Sequence, residues 1–224
     1  MTMTIVGYDP RNGQFGGAVA TKNIAVGSRV LRGIGEVGMV GFSGHEVQRI
    51  RAIRMLELGF PAETVLEAIK SVSNGRGQYS IVDRKGKSVA FTAEAQFPWA
   101  GSRAGLHYAC GANTMIGPGV VQALGETFEQ TEGSELLLHE RLLLCLEAAQ
   151  ETGGDNRGRQ SAAIQIHWKR IDANPYLDLR VDDHSDPIPE LKALVHIYLQ
   201  TYPDYASKTW PTLEGTGGYP ILYP

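Results

Sequence analysis

Two blocks of paired helices interrupt a run of short strands, and that order leaves the chain few architectures to fold into. Residues 4–8 and 15–21 read as strands joined by the turn Asp9-Pro10-Arg11-Asn12-Gly13, which makes an N-terminal hairpin. A third apolar run covers 37–42 and stops at Ser43-Gly44-His45. The first helix then carries Val47, Ile50, Ile53 and Leu56 at helical spacing, with Arg49, Arg51 and Arg54 off that stripe. Gly59 closes it, and Pro61 opens a second helix bearing Val65, Ala68, Ile69 and Val72. Strands at 79–82 and 88–91 form another hairpin, and 107–110 reads as one more strand. The second helix pair takes 119–129 and 134–151, with Ser134 as the N-cap of the latter. The leucines between 136 and 146 cover most of that helix's circumference, so it is expected to pack on two sides. Strands at 161–168 and 177–181 and a helix over 188–202 precede a Gly/Pro/Tyr tail from Trp210 to Pro224.

Hairpins dominate this order, so the sheets should be mainly antiparallel. The economical solution is an α+β fold, a four-layer αββα sandwich of two sheets between helix pairs. It would span residues 1–209 as one domain, with 210–224 an extended tail that covers a neighbouring subunit of a homo-oligomer. A net charge of −3 does not supply the basic face of a nucleic-acid groove. No run approaches the roughly 20 apolar residues of a membrane span, and no charged-then-apolar leader opens the chain. Cys110 and Cys145 give no metal-ligand spacing and fit a reduced compartment. The expectation is a cytoplasmic protein with a small-molecule substrate, no cofactor, and no nucleic-acid or membrane partner.

The chemistry-bearing candidates lie at strand ends and in one loop. If Met1 is trimmed, Thr2 carries a hydroxyl and a free α-amine on one residue. An α-amine titrates near ~8, so close to neutral pH it can accept the proton of its own hydroxyl, directly or through water. Otherwise Thr2 is an ordinary strand residue that keeps its Met. Thr4, two positions on, faces the same side and is the rival hydroxyl. The Gly44 amide, in the turn Ser43-Gly44-His45, can meet a developing oxyanion; otherwise these residues only turn the chain from strand to helix, with His45 exposed. Residues 153–161 are dense in hydrogen-bonding groups: Asp155 can pair with an ammonium or orient a hydroxyl, Arg159 can take a substrate carboxylate bidentately, and Ser161 adds a hydroxyl. Asn113 points an amide at the site or adopts a left-handed turn. Asp182, Asp183 and His184 form the most metal-like cluster and define an alternative metal-dependent hydrolase, although aspartates before a helix are also ordinary caps. His107, His139, His167 and His196 are scattered and read as structural.

The layout resembles the N-terminal-nucleophile (Ntn) hydrolases, which include the proteasome β-subunits. Thr2-Met3-Thr4-Ile5-Val6 looks like their first strand, Gly41-Phe42-Ser43-Gly44 like their oxyanion turn, and Cys110-Gly111-Ala112-Asn113 stands where they have a Gly-Ser-Gly turn. A closer resemblance is to a bacterial Ntn-hydrolase-like family of unknown function, whose members open Met-Thr-aromatic-Ser-Ile-Val-Ala. The shared segments are 16–28, Trp99-Ala100-Gly101, Gly111 with Asn113, 153–161 and 179–187. Met3 and Thr4 depart from the aromatic and Ser of that opening. The lysine that proteasome subunits need falls at Leu31 or Arg32; Arg32 supplies a charge there but cannot shuttle a proton. The resemblance implies hydrolysis of a small amide or related acyl C–N bond. Thr2 would attack, Gly44 would hold the oxyanion and Asp155 the terminus, while Asn113 and Arg159 met substrate. The alternative is a non-catalytic binding protein that keeps the fold and pocket.

Overall fold

The computed structural model describes residues 2–44, 46–94, 98–168 and 175–202. Met1, His45 and the tail from Trp210, with the domain boundary expected at 209, lie outside the described residues. Strand β1 (Thr2–Asp9) turns back into β2 (Gln14–Thr21), with Met3 opposite Ala20 and Asp9 opposite Gln14. The turn closes because Asp9 accepts the Arg11 amide at 3.0 Å and the Gly13 amide reaches the Asp9 carbonyl at 2.8 Å.

This hairpin is the middle of a six-stranded antiparallel sheet. One flank is β8 (Tyr108–Asn113) and then β7 (Ala100–Gly105); the other is β9 (Ser161–His167) and then β10 (Leu177–Val181). A second antiparallel sheet runs β3 (Leu31–Ile34), β4 (Gly38–Ser43), β5 (Gln78–Asp83), β6 (Ser88–Thr92) in that order. Edge strands β6 and β7 lie against each other, and the Ser88 hydroxyl donates to the Gly105 carbonyl. Five α-helices complete the described residues: α1 (Glu46–Glu57), α2 (Ala62–Val72), α3 (Gly119–Gln130), α4 (Leu138–Glu151) and α5 (Pro187–Thr201).

Strand alternation divides the core in three. Met3 and Ile5 of β1 join Cys110, Ala112, Ile164 and the apolar faces of α3, α4 and α5. The opposite face of β1 presents Val6, which packs with Val19, Leu31, Met39 and Val82 between the two sheets. Val40, Phe42, Tyr79 and Ile81 turn the other way, onto Ile53, Leu56, Val65 and Ile69 of α1 and α2. The sheets approach closely where side chains are absent: a Cβ on Gly41 would stand 2.5 Å from Thr4 Cγ2.

Three local expectations are corrected. The buried face of α1 is Gln48, Arg49, Ala52, Ile53 and Leu56, while Val47 is 59% exposed. Arg49 is drawn inward because its guanidinium donates to the Leu31 carbonyl at 3.1 Å. Ser134 caps no helix; α4 starts at Leu138, and the Leu137 amide is held by the Glu140 carboxylate at 2.7 Å. Strands β3 and β7 have too few β-branched or aromatic residues to be read from sequence, and their ladders come from partners β4 and β8. The two-sided packing of the leucine-rich helix holds, since α4 lies on α3, α5 and the six-stranded sheet.

Candidate active site

Thr2 begins the central strand, and its cross-strand partner on β8 is Asn113; Thr4 lies between Gly111 and Val19. The contact with Gly41 shows that Thr4 faces the other sheet, and Thr2 shares that face. Both threonines are buried. Across the gap, Asn113 donates through Nδ2 to Gln78 Oε1 at 2.9 Å and to Ser43 Oγ at 3.2 Å. Gln78 Nε2 in turn reaches the Ala112 carbonyl at 2.9 Å, the Gly101 carbonyl at 3.1 Å and Thr92 Oγ1 at 2.9 Å. A side chain on Gly111 would block this, because its Cβ would lie 2.9 Å from Gln78 Cδ. Two further buried hydroxyls on this layer, Thr4 Oγ1 and Ser80 Oγ, have no partner among the described residues.

Asp155 reaches the same end of the sheet through β2. Its carboxylate accepts the Lys22 amide at 2.9 Å and the Arg157 amide at 2.8 Å, and Asp155 bridges to Met115 just beyond β8. Met3 pairs with Ala20, so one residue further on Thr2 stands beside Thr21, the neighbour of Lys22. Gly44 follows Ser43 with φ +100°, a conformation that favours glycine, and nothing lies within 4 Å of where its Cβ would be. Thr2, Ser43, Gly44, Asn113 and Asp155 therefore lie at the same end of the two sheets, with Thr4 two residues further in. The left-handed residue beside the site is Thr114 (φ 56°), while Asn113 itself stays in the strand. A β-branched side chain seldom adopts that conformation.

Other candidates lie elsewhere or have other work. Leu31 faces between the sheets, so Arg32, one residue on, points to the helix side of β3, away from the threonines. Arg159 is half-exposed and ion-paired to Asp186. Ser161 Oγ accepts the Val26 amide at 3.2 Å and donates to the Asn23 carbonyl, which fixes the loop after β2. The carboxylate of Asp182 pairs with Arg180 at 2.8 Å, Asp183 accepts from Gln160 at 2.9 Å, and His184 Nδ1 accepts the Asp186 amide at 3.1 Å. These three side chains diverge to separate partners, and among the described residues no group of His, Cys, Asp or Glu is arranged to hold a metal ion. Cys110 faces α3, and burial pushes its thiol up to about 12, so it is no nucleophile at neutral pH.

The model of a family of unknown function, DUF1028, matches residues 2–191, which is most of the chain. The protein belongs to the DUF1028 family. A crystal structure of a Silicibacter pomeroyi protein assigned to DUF1028 is similar to it, with 31% identity, a TM-score of 0.79, and coverage of 92% of this chain and 91% of that one. No curated protein matches. For this DUF1028 protein, sequence reasoning missed Gln78 and Ser80. In Gln78-Tyr79-Ser80-Ile81 the alternation suggests a solvent face, yet the polar side faces the partner sheet. Only that strand's register with Ser43 and Gly41, which the fold supplies, marks the face as interior. No helix among the described residues is long and apolar enough to cross a membrane.

Proposed function

We propose that this protein is an N-terminal-nucleophile hydrolase that cleaves a small amide or related acyl C–N bond, with Thr2 as nucleophile once Met1 is removed. The observation that carries the reading is Thr2 at the head of the central strand, opposite Asn113 and on the face that meets Ser43 and Gln78. The packing of α1 and α2 on the four-stranded sheet, and of α3 and α4 on the other, supports an αββα sandwich of the Ntn type.

In this mechanism the α-amine takes the proton from the Thr2 hydroxyl as Oγ bonds to the substrate carbonyl. The Gly44 amide meets the oxyanion, a donor worth about 3 kcal/mol in a water-poor site. The amine then gives the proton to the leaving nitrogen as the C–N bond breaks. Water, activated by the same amine, hydrolyses the ester and restores Thr2. Asp155 acts at one remove, holding the Lys22 backbone beside the terminus. Intact-mass measurement and a screen of small amides against wild type and Thr2→Ala test the reading. The expected result is a chain lacking Met1 and turnover lost in the variant; equal turnover removes Thr2 from the role.

The unpartnered Thr4 and Ser80 hydroxyls favour one second reading, a non-catalytic protein that binds a small polar molecule between its sheets and keeps Met1. Full retention of Met1 in the intact mass selects it.

A further inference from the structure

Gln78, Asn113 and Ser43 form a chain whose hydrogen-bond direction is fixed at one end. Gln78 Nε2 faces two backbone carbonyls, of Gly101 and Ala112. Carbonyl oxygens only accept, so the Gln78 amide cannot be reversed without setting oxygen against oxygen. Its Oε1 is thereby committed toward Asn113, which must answer with Nδ2. The two Nδ2 protons of Asn113 have two acceptors, Gln78 Oε1 and Ser43 Oγ, so its donor capacity is filled. Gln78 is 4% exposed and Asn113 5%, which keeps water from rearranging the chain. Two groups emerge with defined polarity. Asn113 Oδ1 is left as an acceptor, and Ser43, having accepted through Oγ, keeps its hydroxyl proton to donate.

We propose that Ser43 is a second oxyanion donor beside the Gly44 amide, and that Gln78 is the positioning residue that sets its polarity through Asn113. This rests on the Thr2 reading. Ser43 and Gly44 are consecutive at the end of β4, so a side-chain O–H and a backbone N–H are offered from one turn, across from the strand that carries Thr2. Asn113 Oδ1 is directed to a donor, either the Thr2 amine in its protonated form or the N–H of the scissile amide.

The test uses the full-length protein and a β-lactone probe. Thr2 Oγ bonds to the lactone carbonyl carbon, the ring C–O bond breaks, and the threonine proton passes through the amine to the released alkoxide. Adduct growth is followed by intact mass at several probe concentrations to separate kinact from KI. A donor that acts on the developing oxyanion affects kinact, so Ser43→Ala is expected to lower kinact about 100-fold and leave KI unchanged. Its pH midpoint should not move, because a serine hydroxyl does not titrate in this range. Ser43→Thr restores most of the rate, and Gln78→Glu, which turns an oxygen toward the two carbonyls, loses it. A purely structural role would instead lower the thermal midpoint of Ser43→Ala without a selective fall in kinact. If Ser43→Ala does not fold, Ser43→Cys, with its weaker donor, is expected to lose most of kinact. Wild-type kinact in a folded Ser43→Ala or Ser43→Cys variant overturns the donor role and leaves Thr2 in place. A wild-type protein that forms no adduct on Thr2 overturns the nucleophile reading and this role with it.

Discussion

Replacing Gly41 by Ala probes the close approach of the two sheets, because the structure names the atom that the new methyl would strike. The added Cβ stands 2.5 Å from Thr4 Cγ2, 3.2 Å from Val6 Cγ1 and 3.8 Å from Leu31 Cδ2. β4 is hydrogen-bonded on both sides, to β3 and β5, so its backbone cannot retreat without disturbing two ladders. Overpacking of this kind costs about 2 kcal/mol. For a chain of this size that corresponds to a fall in Tm of roughly 4–8 °C. Thr4→Ser removes the struck methyl and by itself costs about 1 kcal/mol of lost burial. In the double variant the alanine methyl occupies the space that the threonine methyl leaves. Independent effects would sum to about 3 kcal/mol. The contact predicts a combined loss nearer 1.5 kcal/mol, so the coupling is about −1.5 kcal/mol. Equilibrium urea unfolding of the wild type, both single variants and the double measures it. Additivity within about 0.5 kcal/mol would refute the claim that Thr4 is what fills the space over Gly41.

Burial pushes the His167 imidazole down to about 4, with the positive charge of Arg32 acting in the same direction. An unfolded histidine titrates near 6.5, so between these values the unfolded chain binds the proton and stability falls as the pH drops from about 6.5 toward 4. The loss from this residue is about 3 kcal/mol, and urea midpoints at pH 7 and pH 4.5 should converge in His167→Gln relative to wild type. Arg141, 1% exposed, donates to the Phe128 carbonyl at 2.9 Å and to Glu132 at 2.5 Å, and lies 4.0 Å from the Phe128 ring centroid. Arg141→Ala should cost about 3 kcal/mol by thermal or chemical unfolding; a loss below about 1 kcal/mol would show that the ion pair and ring contact contribute little. Both cysteines are fully buried with raised thiol pKa values, so iodoacetamide at pH 8 should modify neither in the folded protein and both after unfolding, as read by intact mass.

The element order was legible because hairpin turns and helix punctuation are local: Asp9 to Gly13, Gly59 and Pro61 fix chain direction through their own backbone preferences. The two antiparallel sheets followed from it. What sequence could not give was inward direction on half-polar surfaces. Arg49 is charged, yet its guanidinium satisfies the Leu31 carbonyl and so takes the place of an apolar residue on α1. Gln78 and Ser80 alternate with apolar residues, a pattern that a solvent-facing strand would show equally well; only the second sheet makes that face interior. At the site, Thr2, Gly44, Asn113 and Asp155 were readable as strand ends and loops. The diversion of Arg159 to Asp186 and of Ser161 to the loop after β2 depended on partners 27 and 138 residues away in sequence.

The seam where β6 lies along β7 has a bearing on how molecules of this protein meet one another. An edge strand offers a rail of unpaired amides and carbonyls to any passing chain, and here a chain that approaches either edge meets the other strand close by, tied to it through the Ser88 hydroxyl and the Gly105 carbonyl. The opposite borders are less inviting: β3 is four residues long, and β10 exposes Asp178 and Arg180 as alternating opposite charges. Among the described residues, strand-by-strand recruitment into fibres thus finds only short edges, of four to six residues, from which to start.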